Sequence, residues 1–254
     1  MSAAQASARA EARARRAGLL VGALALALLL LSPRLLSLSA GPRAEILTAL
    51  KSLEQRGLEL SVPGSPQPLR SRTVHFSRLS VGPADGAGPP GAAALARATL
   101  DFEGALGATK VSSVGVEQVP FAPGASGSGG VARWRPVASA APRLVAVVAA
   151  LEARRQALEA GDRTRLAALS AGGAPQGAAP KASEEALAQV LSVQDRDYRA
   201  EAWYVRLERD EASVGEHWHL TGSAPGGSRV DLRGERRLLL VRRGEEFFFS
   251  PGVM

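Results

Sequence analysis

Apolar residues fall in three patterns along this chain. The first is an unbroken run: Ala17–Leu31 (AGLLVGALALALLLL) has fifteen residues with no charged or strongly polar side chain. It shows no polar face at the helical period, which argues against a helix on a soluble core. Extended to Leu38 the stretch has 22 residues and one charge, Arg34, whose long side chain can snorkel to a membrane interface. This predicts a transmembrane anchor over 17–38. A secretory signal peptide is the competing reading, with cleavage before Ala40 after the small residues Ser37 and Ser39. Arg9, Arg13, Arg15 and Arg16 precede the run, so the positive-inside rule keeps residues 1–16 in the cytoplasm and sends the rest across.

The second pattern is helical spacing. Ala44–Gln55 places Ile46, Leu47, Leu50 and Leu53 on one face, with Gly57 as a C-cap. Pro142–Ala160 carries a stripe of Leu144, Val147, Val148, Leu151 and Leu158, with Glu152, Arg154, Arg155 and Glu159 assigned to the opposite face. Pro142 suits a first turn, and Gly161 ends the helix. Asp162 caps a helix over Arg163–Leu169, and Ser183 caps another over Glu184–Leu191.

The third pattern is alternation, which predicts strands. In the first exported region, 41–137, they fall in RTVHFSRLSV, Ala93–Glu103, Lys110–Phe121 and Val131–Val137. Gly115 is read as a bulge. In the second, 138–254, they fall in Tyr198–Leu207, Ser213–Thr221, Arg229–Arg242 and Glu246–Ser250, with a bend at Gly234. The fold class is therefore α+β: a transmembrane helix, then two modules, 41–137 and 138–254, each with helices packed on a curved antiparallel sheet.

From about residue 140 the order of elements resembles the nuclear transport factor 2-like superfamily, the cone fold. The segments ALEARRQALEAGDRTRLAAL and RRLLLVRRGEEFFFSPG are similar to its opening helices and closing strands. The resemblance implies a curved sheet with helices across it. That superfamily holds enzymes, pocket binders and assembly modules alike, so the likeness does not choose a function.

Charge narrows the partners. The net charge is +7 over 254 residues, and the first 43 residues carry five of those charges, six arginines against Glu11. The folded bulk is near neutral, which argues against nucleic acid as a partner. Cysteine is absent and histidine is limited to His75, His217 and His219, so no metal or cofactor is implied. No phosphate loop, nucleophile elbow or paired-carboxylate signature is present.

Two candidate sites remain. His217 and His219 share one strand face. If Trp203 lies opposite Trp218, Tyr204 faces His217. If Thr221 pairs with Arg229, His219 faces Asp231 and His217 faces Arg233. Tyr204, His217, His219 and Asp231 thus form a candidate ligand-binding set, or a row of polar cross-strand pairs. Glu216 falls on the core side with Val214, Trp218 and Leu220, and is the candidate catalytic base. Arg236 has matching parity and is its candidate ion-pair partner. The reading that follows is an inner-membrane, single-pass protein with its bulk in the periplasm. It would be non-catalytic, docking other envelope proteins. A small-ligand binder, or an isomerase or hydrolase using Glu216, is the alternative.

Overall fold

The computed structural model describes residues 42–84, 89–124, 134–171 and 181–250. The expected anchor at 17–38 and the cleavage site before Ala40 lie outside them. Among the described residues no helix is long and apolar enough to cross a membrane.

The elements run α1 (Pro42–Arg56), β1 (Glu59–Leu60), β2 (Leu69–Pro83), β3 (Ala94–Leu106), β4 (Thr109–Pro123) and β5 (Trp134–Pro136). Then come α2 (Pro142–Ala160), α3 (Arg163–Ala171), α4 (Lys181–Ser192), β6 (Gln194–Leu207), β7 (Glu211–Ser223), β8 (Arg229–Arg243) and β9 (Glu246–Phe249). The α+β class and the curved sheet agree with the sequence expectation. The helix over 184–191 begins earlier, at Lys181, so Ser183 lies inside it rather than at its cap.

Both halves of the chain contribute to one sheet, in the order β1-β2-β3-β4-β6-β7-β8-β9, with β5 added on β4. Among the described residues every pairing is antiparallel except one. β4 and β6 run parallel from Lys110↔Ala202 to Gly115↔Leu207. This junction joins the two regions taken separately above, and Ile46–Met254 falls in one compact unit. A parallel pair needs a long crossover between its strands. Here that crossover contains the helices α2, α3 and α4.

Gly115 is not a bulge, since β3 and β4 stay in register through Leu100↔Gly115. Its φ is +153°, and a Cβ there would lie 2.3 Å from the Leu207 carbonyl oxygen. Glycine is needed because the end of β6 comes too close for a side chain. Gly234 likewise stays in register, opposite Trp218. A Cβ on it would lie 2.7 Å from the Trp218 ring, so Gly234 makes room for the indole rather than bending β8.

Helix α2 is the central support. Its stripe residues Leu144, Val147, Val148, Leu151 and Leu158 are all buried, each worth about 1.5–3 kcal/mol of transfer free energy. The first four join a core that runs from Ile46 and Leu50 of α1 through Phe102 and Phe121 to Phe249. A smaller cluster, including Leu158, Leu166, Val190, Tyr198 and Leu220, sits beneath the far end of α2.

Candidate functional site

The residue row Trp203, Glu216, Arg236 crosses three strands, because Trp203 pairs with Glu216 and Glu216 with Arg236. Glu216 is 1% exposed. Arg154 descends on it from α2, with Nη1 donating to Oε2 at 3.0 Å. The Tyr198 hydroxyl donates to the same oxygen at 3.1 Å, and the Trp203 indole N–H donates to Oε1 at 3.2 Å. Arg236 Nε lies 3.3 Å from Oε2. Its guanidinium also lies over the Trp218 ring, 4.8 Å from the centroid, a cation–π contact.

Burial works against the charge on Arg154, but Glu216 and Tyr198 more than offset it and hold the guanidinium above its ordinary value. Burial raises the Tyr198 phenol, and the Glu216 charge raises it further. Glu216 is therefore on the core side, with Arg236 as its partner. The opposite face assigned to α2 needs correcting. Arg154 and Glu152 are 1% and 6% exposed, and only Arg155 and Glu159 lie toward solvent. Arg154 stands three residues after Leu151 and four before Leu158. That spacing belongs to the buried stripe, and it was the available signal.

A second buried carboxylate, Glu117 on β4, had no sequence signal. It is 0% exposed. Its two oxygens accept the N–H groups of Arg143, at 3.0 Å, and Leu144, at 2.7 Å. The residue before α2, Ala141, has no capping side chain. Glu117 supplies that acceptor from a neighbouring strand. Burial pushes its carboxyl up to about 7, although the two N–H groups pull the other way. The Arg143 guanidinium in turn donates to the carbonyls of Val116, Glu208 and Arg209. It ties β4 and α2 to the β6–β7 turn.

The polar face of β7 has a different register from the one expected. Thr221 pairs with Asp231, not Arg229, so His219 lies opposite Arg233 and His217 opposite Glu235. Tyr204 pairs with Gly215 and Trp203 with Glu216, two residues from the expected register, while Trp218 lies opposite Ala200; the pairing shifts by one residue at Glu201. The four residues meet as two separate diagonal pairs, His219 with Asp231 and Tyr204 with His217. His219 Nε2 is 2.8 Å from Asp231 Oδ1, which holds the Asp231 carboxyl below its usual range. Tyr204 and His217 have ring centroids 5.1 Å apart, edge to face. His217 also lies 3.2 Å from Glu235. Tyr204 is half exposed, and the group forms an open row on the sheet surface. His75 pairs with Glu54 of α1 at 3.0 Å.

Among the described residues a space able to take a ligand lies elsewhere. A groove of about 640 Å³ follows the flank of α2 past Ala146, Ala149, Ala150 and Ala153. Its other walls include Leu169 of α3, Phe247 and Phe248 of β9, and Pro120 of β4. Arg143, Arg165 and Arg242 reach it, with Glu245 of the β8–β9 turn and Glu246 of β9. Glu216, Arg154, Tyr198 and Trp203 do not line it. Four alanines on one helical flank leave a broad channel, because methyl groups fill little of the space between α2 and β9.

No family model and no curated protein matches this chain. Similar solved structures include a candidate ketosteroid isomerase from Shewanella frigidimarina, 11% identical over 40% of this chain and 87% of that one, with a TM-score of 0.33. A candidate dehydratase of the nuclear transport factor 2-like family from Streptomyces avermitilis is 17% identical over 44% and 97%, with a TM-score of 0.35. A candidate calcium/calmodulin-dependent protein kinase II association domain from Xanthomonas campestris is 19% identical over 42% and 85%, with a TM-score of 0.33.

Proposed function

We propose that this chain is a non-catalytic binding module, that the groove along α2 is its site, and that residues 17–38 hold it on the outer side of the inner membrane. The groove carries the reading. Its volume falls in the usual range for small-molecule sites, and its lining is mostly apolar with a few polar groups, as such sites are. The contrast with Glu216 supports the non-catalytic part. A general base must reach a substrate proton within hydrogen-bonding distance. Both Glu216 oxygens are already engaged by buried neighbours, and the groove does not reach them.

Docking of other envelope proteins has a separate support. Val114, Val116 and Tyr204 are 48%, 43% and 51% exposed on neighbouring strands β4 and β6, with Arg206 opposite Val114, which leaves large side chains free for a partner that also presents polar groups.

The absence of cysteine allows a local test. The full-length protein with Glu245→Cys is labelled at the groove rim with an environment-sensitive dye, and 1-octanol is added. The expected result is a saturable emission change that Ala149→Trp abolishes. A Glu235→Cys label, on the polar row of β8, should not respond. An equal response at both labels, or one unaffected by Ala149→Trp, would refute the reading.

A further inference from the structure

We infer that the groove takes an apolar monocarboxylate, with its head group at Arg143 and Arg242 and its tail along the alanine flank of α2. The inference rests on the groove being the binding site, and adds the class of ligand.

Arg143 is 4% exposed. Both of its terminal nitrogens donate to backbone carbonyls, yet its buried Nε has no acceptor among the described residues. A buried donor without a partner is costly. A second guanidinium, Arg242, lines the same groove. Burial lowers the Arg143 pKa and the Arg242 charge adds to that lowering, while Glu117 and Asp210 oppose it. The nearest buried acid cannot relieve the two arginines further, because both Glu117 oxygens accept α2 N–H groups. One end of an apolar channel therefore has two guanidinium groups, Arg143 and Arg242, whose positive charge a carboxylate complements.

The rest of the lining sets the size and charge of the ligand. From Arg143 to Ala153 the helix rises about 15 Å at 1.5 Å per residue, which exceeds the length of an extended octanoyl chain. Ala146, Ala149 and Ala150 line the groove together with Leu169 and Phe248. Glu245 and Glu246 stand at the rim. Their charges repel a dianion more strongly than a single carboxylate, so a phosphate monoester is disfavoured.

The test uses full-length protein labelled at Pro89→Cys on the groove wall, which keeps Glu245 and Glu246 in place, with octanoate, 1-octanol and octyl phosphate. Octanoate should bind about tenfold or more tightly than octanol, the value of one charge-assisted hydrogen bond. Arg242→Gln should bring octanoate down to the octanol level and leave octanol unchanged. Equal affinities for octanoate and octanol, an octanoate affinity unaffected by Arg242→Gln, or a preference for octyl phosphate would each overturn the carboxylate assignment. If octanol also fails to bind, the groove itself is not the site, and both conclusions fall together.

Discussion

Glu216 and Glu117 are both buried carboxylates, yet their surroundings give them opposite consequences. Glu216 has two arginines and two further donors around it. Removing one partner from such a cluster leaves charge buried without compensation and typically costs about 3–5 kcal/mol. Glu216→Ala should therefore lower the unfolding free energy by about that amount. Adding Arg154→Met should recover part of the loss, because it removes one stranded cation. A loss below about 1 kcal/mol in urea unfolding would show that the cluster is not a structural brace.

Glu117 has its carboxyl raised from 4.5 to about 7 by burial, so the folded state favours the protonated form. The stabilisation from that proton is complete below pH 4.5 and is lost as pH rises through about 7. Urea midpoints should fall over that interval in the wild-type protein. They should fall less in Glu117→Gln, and parallel slopes would contradict the assignment.

At this scale the sequence was partly readable. Alternation placed Glu216 on the core side and gave it Arg236, since parity survives as long as the register is even. The neighbours of Trp203 and Thr221 came out two residues off, because a slip of two keeps every side chain on its face and leaves no mark in an alternating pattern. Glu117 was invisible for another reason. Its partners are backbone N–H groups some 26 residues away, and no side-chain code specifies them.

Among elements, the long periodic segments were legible. Pro142–Ala160 has the predicted bounds, and Asp162 Oδ1 accepts the Arg165 N–H at 2.9 Å as a cap should. Two glycines were placed correctly in strands but given the wrong task, because close approach between strands is a tertiary fact. Gly115 is the more severe case. Its positive φ and its contact with Leu207 leave no room for a side chain, so Gly115→Val should part β4 from β6. We expect a loss of roughly 1–3 kcal/mol or more, as for other overpacked sites. Faster amide exchange should follow at Val111–Gly115 and Trp203–Leu207. Unchanged exchange in a stable variant would show that the junction tolerates a side chain.

For the whole molecule, the parallel junction decides what can fold alone. The sequence suggested two modules because loops and composition divide it near residue 137. The sheet and the hydrophobic cluster run across that point. Residues 138–254 made alone would expose the β6 edge and the faces that Phe102 and Phe121 now cover, an aggregation-prone state. We expect that fragment to be insoluble by itself and to be recovered on co-expression with residues 41–137. A soluble, cooperatively unfolding fragment would show that the second region is autonomous. Membrane placement is tested separately, with a reporter active only in the cytosol fused after Met254. The reporter should stay silent, and activity would contradict the proposed orientation.

Hydrogen exchange of the full-length protein, with and without octanoate, tests the binding account most directly. Slowed exchange should concentrate at Ala146–Ala153 and Phe247–Phe248, with little change around Trp203 and Glu216. Protection centred on Trp203 and Glu216 instead would place the site in the buried cluster and contradict the account.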